Sequence, residues 1–214
     1  MHTITRSFAP RDLVGGHPAL DLVNTVTARD VSDPVDWVDG YPRLVEWAVL
    51  AGVVDADAAE KLDRLAAASP AAARSALVRA KELRESLHVA FGALIAGRSV
   101  PAAALKRVDS ARKAALARTV LVHDKRVAPR LSIDDSGLDY VADTVALSAV
   151  DLFALLPNER ARLCPGVQCG WLFLDTSKGG KRVWCDMATC GNAAKSERLQ
   201  QRQKRRGPRR RGPR

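Results

Sequence analysis

The sequence predicts a mainly α-helical protein with a small β element, in which a helical N-terminal domain precedes a small module of a β-hairpin and a helix. Apolar residues recur at intervals of three and four through most of residues 1–157. Short runs rich in valine interrupt this pattern between 118 and 133. All four cysteines lie within 27 residues near the C-terminus. We therefore predict a helical domain over 1–157, a cysteine module over 158–206 and a disordered basic tail over 207–214.

The first part of the chain reads as a series of helices joined by turns. The segment 15–26 permits a strand or a helix, and we favour a helix because the following chain is helical. An acidic loop over 30–39 precedes a helix expected over 41–52. Asp55 is a typical N-cap, so a further helix is expected from there to about residue 68.

The longest predicted helix begins at Ser69 and Pro70, because serine caps helices and proline is tolerated in their first turn. Its apolar stripe ends at Gly97. Ser99 and Pro101 repeat this start signal for a helix to about residue 117.

Two short strands are expected next, around a turn at His123 and Asp124, with Ile133 in the second strand. A final helix is predicted over 138–156, and Pro157 stops it.

The cysteines form two pairs with four residues inside each pair and fifteen between the pairs: Cys164, Cys169, Cys185 and Cys190. This spacing favours one structural zinc ion bound by four thiolates, so the module is predicted to be a zinc finger. Two disulfides, a redox dithiol or an iron–sulfur centre are the alternatives. No secretory signal or membrane-spanning run is recognisable, so we expect a cytoplasmic protein without membrane contact.

The charge is unevenly distributed. Residues 1–156 carry 19 Lys and Arg against 20 Asp and Glu, whereas residues 157–214 carry 15 against 4, a net charge of +11. Such asymmetry indicates a polyanionic partner for the C-terminal end, and DNA is the partner we predict. The arginine-rich tail allows RNA equally well.

Within the module, residues 171–174 are predicted to pair with 181–185 as a hairpin, and a helix is expected from Asn192. Trp171, Phe173 and Trp184 suit either base stacking or a small core, and we favour the core for at least two of them.

Basic side chains at 178–182, around the turn of the predicted hairpin, and in the last helix are the candidate nucleic-acid contacts. In the helix, a stripe at spacings of three and four lies on one face, with Leu199 as the clear apolar contact. A solvated charged face is the alternative. The candidates are Lys178, Lys181, Arg182, Lys195, Arg198, Arg202, Arg205 and Arg206.

Residues 164–195, with the run Cys-Gly-Trp-Leu-Phe-Leu-Asp and the sequence Cys-Gly-Asn at 190–192, closely resemble the CGNR zinc finger. The segment 16–25, Gly-His-Pro-Ala-Leu-Asp-Leu-Val-Asn-Thr, resembles the opening of the ABATE domain. This resemblance implies a bacterial, stress-linked transcription regulator with a DNA-binding finger and a sensing or regulatory N-terminal domain. The arginine that gives the finger its name is Ala193 here, which puts one DNA contact in doubt.

The resemblance directs attention to His17, Asp21, Asn24 and Trp37 as a candidate pocket for a small-molecule effector. The alternative is that Asp21 and Asn24 cap a helix or satisfy buried backbone groups. No hydrolase, phosphate-loop or zinc-protease motif is present, so we predict that the chain is not an enzyme. The N-terminal domain is expected to sense a signal or to form a homodimer. An interaction protein or enzyme centred on the helical domain is a further alternative.

Overall fold

A computed structural model describes residues 2–3, 7–29, 31–123, 125–155 and 160–206. The predicted turn at Asp124, the helix stop at Pro157 and the basic tail over 207–214 lie outside these residues. Within them, no helix is both long enough and apolar enough to cross a membrane.

The fold is mainly helical, as predicted. The helices of the N-terminal domain are α1 (Pro18–Val23), α2 (Tyr41–Leu50), α3 (Ala56–Ala68), α4 (Pro70–Ile95), α5 (Ala102–Ala117), the short α6 (Ile133–Ser136) and α7 (Tyr140–Leu155). The C-terminal module contains α8 (Asn192–Arg206). The long helix α4 packs against α1, α2, α3, α5 and α7 and forms the centre of the domain.

Several predicted helix ends are confirmed. The Asp55 carboxylate accepts a hydrogen bond from the Ala58 amide at 2.8 Å and caps α3. After α4, Gly97 adopts a φ of +64°, a left-handed conformation that favours glycine and ends the helix.

Two predicted helix starts need correction. The Ser69 side chain makes no capping hydrogen bond to α4, because Ser69 also ends α3 and its amide bonds back to Leu65. Helix α5 begins at Ala102 with Pro101 itself at the N-cap, so Ser99 lies before the helix. Ile133, predicted in a strand, starts α6 because the Ser132 hydroxyl accepts from the Asp135 amide.

Strands form three small sheets. Strand β3 (Val35–Asp36) lies between β1 (His2–Thr3), with which it is parallel, and β2 (Val26–Thr27), with which it is antiparallel. Strands β4 (Thr119–His123) and β5 (Val127–Leu131) form the predicted hairpin. In the C-terminal module, β6 (Ala161–Leu163) pairs antiparallel with β7 (Leu172–Leu174).

The predicted pairing of 171–174 with 181–185 is therefore wrong. Strand β7 pairs with residues upstream of the first cysteine, with Arg162 opposite Phe173. The downstream residues form a loop because the buried Asp175 carboxylate accepts from the amides of Ser177 and Arg182 at 3.0 and 2.9 Å. These bonds fold residues 175–182 into a loop around the Asp175 side chain, so these residues do not form a strand.

Strand β7 contributes to two hydrophobic cores. Alternate side chains of a strand point to opposite faces. Leu172, fully buried, and Leu174 pack into the core of the helical domain with Leu20, Trp47 and Leu87, whereas Phe173 packs with the cysteines. The cysteine module is thus built onto the helical domain and not tethered beside it.

Asn24 closes the interface between the two parts. Its side-chain amide donates to the Leu172 carbonyl and its carbonyl accepts from the Leu172 amide, both at 2.8 Å. The Leu174 amide donates to the Gly15 carbonyl at 2.9 Å. These groups satisfy the edge of β7 that faces away from β6, in a position where Asn24 is only 2% exposed.

The two glycines before α1 are required by this arrangement. A Cβ on Gly15 would lie 2.8 Å from the Asp21 carboxylate, and Gly16 has a φ of +75° with Leu174 3.6 Å from its Cβ position. The Gly-Gly pair therefore allows the chain to pass closely between Asp21 and β7.

A buried ion pair fixes the segment that carries β3. Arg84 on α4 donates to both oxygens of Asp36 at 2.8 and 2.9 Å, and Lys81 bonds the same carboxylate at 2.9 Å. Because Arg84 and Asp36 are both almost fully buried, removal of one partner would leave a buried charge paired only with a less buried residue, Lys81 for Asp36 or Glu85 for Arg84. Trp37 directly follows Asp36, so the pair also helps to fix the position of Trp37.

Replacing Asn24 with Ala is expected to lower the free energy of unfolding by roughly 2–6 kcal/mol, because it leaves the buried amide and carbonyl of Leu172 unpaired at about 1–3 kcal/mol each. Urea denaturation followed by tryptophan fluorescence measures this decrease. Gln201→Ala is the matched control, since its amide bonds to Glu197 on α8 and both residues are exposed. Equal effects of the two substitutions would show that the Asn24 contact contributes little.

Candidate metal centre

The four cysteine sulfurs converge on one point. The Sγ atoms lie within 4.8 Å of one another, with 3.6 Å between Cys169 and Cys185 and 3.7 Å between Cys185 and Cys190. Zinc–sulfur bonds of about 2.3 Å at tetrahedral angles place sulfurs about 3.8 Å apart, whereas a disulfide requires about 2.05 Å. The geometry fits four ligands of one structural zinc ion.

Two local structures supply the ligands. Cys164 and Cys169 lie at the tip of the β6–β7 hairpin, where the Cys164 amide donates to the Trp171 carbonyl at 2.8 Å. In the second pair, Cys185 precedes a π-helical turn, Met187–Gly191, and Cys190 lies inside that turn, which leads into α8. That turn is capped by the Asp186 carboxylate, which accepts from the Thr189 amide at 2.9 Å.

The chemistry of the donor set also favours a cation. Thiol hydrogen bonds with Cys164 and Cys169, together with burial, raise the pKa of the Cys185 thiol well above its ordinary value. Four crowded sulfurs therefore resist joint ionisation unless a positive ion lies between them. Zinc compensates this charge and supplies folding free energy. The Cys185 amide donates a hydrogen bond to the Cys164 sulfur at 3.4 Å and so stabilises one thiolate.

Arg182, predicted to contact nucleic acid, is engaged within the module. Its guanidinium lies 4.6 Å from the centre of the Phe173 ring and donates to the carbonyls of Trp184 and Cys185. Phe173 is fully buried, and Trp171 and Trp184 are partly buried around the cysteines. The core role predicted for the aromatic residues holds most fully for Phe173.

The other basic candidates lie at the surface. Lys178 and Lys181 are exposed in the loop after β7. On α8, Lys195, Arg198 and Arg202 are exposed, and Arg205 and Arg206 belong to the same helix. Leu199, predicted to make an apolar contact, is 57% exposed instead, because the helix leaves the body of the protein after Ala194.

Comparison with protein families covers most of the chain. Residues 16–155 match the model of ABATE, described as a putative stress-induced transcription regulator. The chain belongs to the ABATE family. Residues 160–203 match the CGNR zinc finger, and the cysteine geometry agrees with this match. No curated protein matches the chain.

The candidate pocket residues of the ABATE domain have structural partners. His17 caps α1 through Nδ1, which accepts from the Ala19 amide at 3.2 Å, and burial lowers the pKa of its imidazole. The Asp21 carboxylate accepts from the Gly15 amide at 2.7 Å. Asn24 bonds to Leu172, and the Trp37 indole donates to the Thr27 hydroxyl at 2.8 Å.

Three of these four residues, Asp21, Asn24 and Trp37, nevertheless line a common cavity of about 10 Å³, which holds about one water molecule. The rest of its wall is formed by Phe8, Asp12, Thr25, Trp47 and Trp171. The Trp47 indole nitrogen points to no hydrogen-bond partner within the described residues, although the side chain is 1% exposed. His17 does not line this cavity.

Sequence reasoning missed Thr27 and the role of Trp171. The Thr27 hydroxyl accepts from Trp37 and, at 3.1 Å, from Trp171 of the CGNR finger. The Ala28 amide donates to the Cys169 carbonyl at 3.2 Å, so the ABATE domain touches a zinc ligand directly. A lone threonine in a two-residue strand carries no pattern that reveals such a contact.

Replacing Gly166 with Ala is expected to weaken zinc binding roughly tenfold, the usual size of a disturbance next to the ligands, because the added methyl group would displace two of them. A Cβ at Gly166 would lie 2.8 Å from the Cys190 sulfur and 3.2 Å from the Cys169 Cβ. Gly179→Ala is the control, because its nearest neighbour would be 3.8 Å away. Competition with a chromogenic chelator measures both affinities, and equal values would contradict the packing argument.

The Asp21 carboxyl gives the stability a defined pH dependence. Burial raises its pKa to about 6, although the hydrogen bond from Gly15 opposes this shift. The folded state therefore binds this proton more readily than the unfolded state, and Asp21 becomes less destabilising as the pH falls through 6.

When the pH falls from about 7.5 to about 5, the free energy of unfolding of the wild type should rise by about 1.4 kcal/mol relative to that of Asp21→Asn. The Asn variant mimics the protonated acid at every pH. Urea denaturation of both proteins at each pH measures this difference. A difference that does not change with pH would contradict the burial assigned to Asp21.

Proposed function

We propose that the protein is a DNA-binding transcription regulator in which α8 of the CGNR finger contacts the DNA. The observation that carries this proposal is the exposure of α8: from Lys195 onward, every position whose side chain is described is exposed. A helix that is polar on nearly all sides gains stability from a partner.

The charge of α8 selects a polyanion as that partner. Residues 192–206 contain six Lys and Arg against one Glu. A helix of 15 residues is about 22 Å long, and the major groove of B-DNA admits such a helix. Phosphate contacts by these side chains would release counterions and provide most of the affinity.

The metal centre positions α8 in this proposal. Cys190 lies two residues before the first residue of α8, so the zinc ion fixes the start of the helix relative to the hairpin tip. The hairpin in turn is held by Asn24 on the ABATE domain. A change in the ABATE domain therefore has a direct structural route to the DNA-binding helix, which suits a domain that senses a signal.

Ala193 occupies the second position of α8 and is exposed. The arginine expected there from the finger family would lie at the start of the helix, where it could reach phosphate or a base edge. In this chain Lys195 and Arg198, two and five residues further along α8, are proposed to make the first contacts.

The affinity for a DNA duplex is expected to fall as the salt concentration rises. Replacing Lys195, Arg198 and Arg202 together by Gln should reduce the slope of log affinity against log salt concentration by up to about 2.7. This is about 0.9 for each phosphate that is no longer neutralised. Fluorescence anisotropy with a labelled duplex measures the slope. Arg74, Arg98 and Lys106, exposed on the ABATE domain, are the control triple.

A reduction of the slope that is equal for both triples would assign the binding to overall charge and not to α8. An RNA hairpin that competes better than duplex DNA would redirect the proposal to RNA.

A further inference from the structure

A groove between the ABATE domain and the CGNR finger lies beside the metal centre. Its volume is about 220 Å³, below the 300 Å³ or more typical of pockets for drug-sized ligands, so it suits a small molecule. Arg11, Asp12, Thr27 and Trp37 line it from the ABATE side. Trp171, Asp186 and three of the metal-binding cysteines line it from the finger.

The groove is aromatic. Trp37 and Trp171 come from different parts of the chain and are held together because both indole nitrogens donate to the Thr27 hydroxyl. Both tryptophans, together with Asp12, also line the small inner cavity described above. The Trp47 indole, whose nitrogen has no hydrogen-bond partner among the described residues, and the buried Asp21 carboxylate lie in the wall of that inner cavity.

The groove is also negative. Four thiolates around one Zn²⁺ carry a net charge of about −2. Asp12 and Asp186 add two carboxylates, whereas Arg11 in the lining and Arg182, which bonds the Cys185 carbonyl beside Asp186, supply two positive charges, so the sum stays negative. The surface of the finger is positively charged along α8, so the groove is a negatively charged site beside a positively charged helix. Aromatic rings combined with negative charge are the chemistry that recognises organic cations.

We infer that this groove is a binding site for a small organic cation of the quaternary ammonium class. An anion would be repelled by the thiolate centre and the carboxylates, and a neutral ligand would gain nothing from the charge. Because both parts of the chain form the walls, an occupant contacts the ABATE domain and the finger at once. Its role as an effector of DNA binding rests on the proposed function; the site itself does not.

Isothermal titration of the zinc-loaded full-length protein with choline chloride tests the site, with sodium chloride as the ionic control. Choline is expected to bind at least about tenfold more tightly than its neutral tert-butyl isostere, since cation–π contacts act on the charged form alone. Equal binding of the isostere, or no heat from choline beyond that of sodium chloride, would overturn the inference.

Two variants localise the binding. Trp37→Leu should weaken choline binding roughly tenfold by removing an aromatic face. Asp12→Asn keeps an oxygen that can accept from the Ala9 amide, as Asp12 does at 2.9 Å, and should weaken binding roughly three- to fivefold at low salt. Asp57→Asn, at an exposed position of α3, removes the same charge and should leave the affinity unchanged. Equal effects of the two Asn variants would contradict a local site.

Duplex DNA affinity measured with and without saturating choline separates the site from its effector role. A changed affinity supports that role, whereas choline binding with unchanged DNA affinity overturns it. A complete absence of DNA binding, with choline binding intact, would refute the proposed function and leave the cation site standing.

Discussion

Strand β7 packs into two hydrophobic cores and forms hydrogen bonds along both of its edges, and the rest of the structure is arranged around these contacts. Leu172 and Phe173 point to opposite sides, one into the helical core and one toward the cysteines. Strand β6 pairs with one edge, and the Asn24 amide with Gly15 pairs with the other. Since buried backbone groups without partners are costly, this edge fixes how the CGNR finger sits on the ABATE domain.

The metal centre depends on the same strand. The hairpin that ends in β7 carries the first two cysteines at its tip, and the segment 185–190, which leads into α8, carries the other two. Zinc binding therefore stabilises the hairpin, the start of α8 and, through β7, the interface with the ABATE domain. The basic face of α8 and the groove lined by Trp37 and Trp171 are both consequences of this placement.

The sequence allowed the helices and the zinc ligands to be predicted, because both depend on local signals. Apolar spacing and Asp55 define α3, and four clustered cysteines define the metal site. The partner of β7 was predicted wrongly, because three residues such as 161–163 carry no clear period and the loop closed by Asp175 resembled a returning strand. The bond between Asn24 and Leu172 joins residues 148 positions apart, so only the folded chain reveals it.

Hydrogen exchange of single amides, with and without zinc, tests most directly whether the metal centre and the domain interface form one unit. In the zinc-bound protein, the amides of Leu172 and Ala28 should be protected, since both donate across the interface. Removal of zinc should accelerate their exchange at least about a hundredfold and leave Leu87, buried in α4, unchanged. Continued protection of Leu172 without zinc would contradict this account.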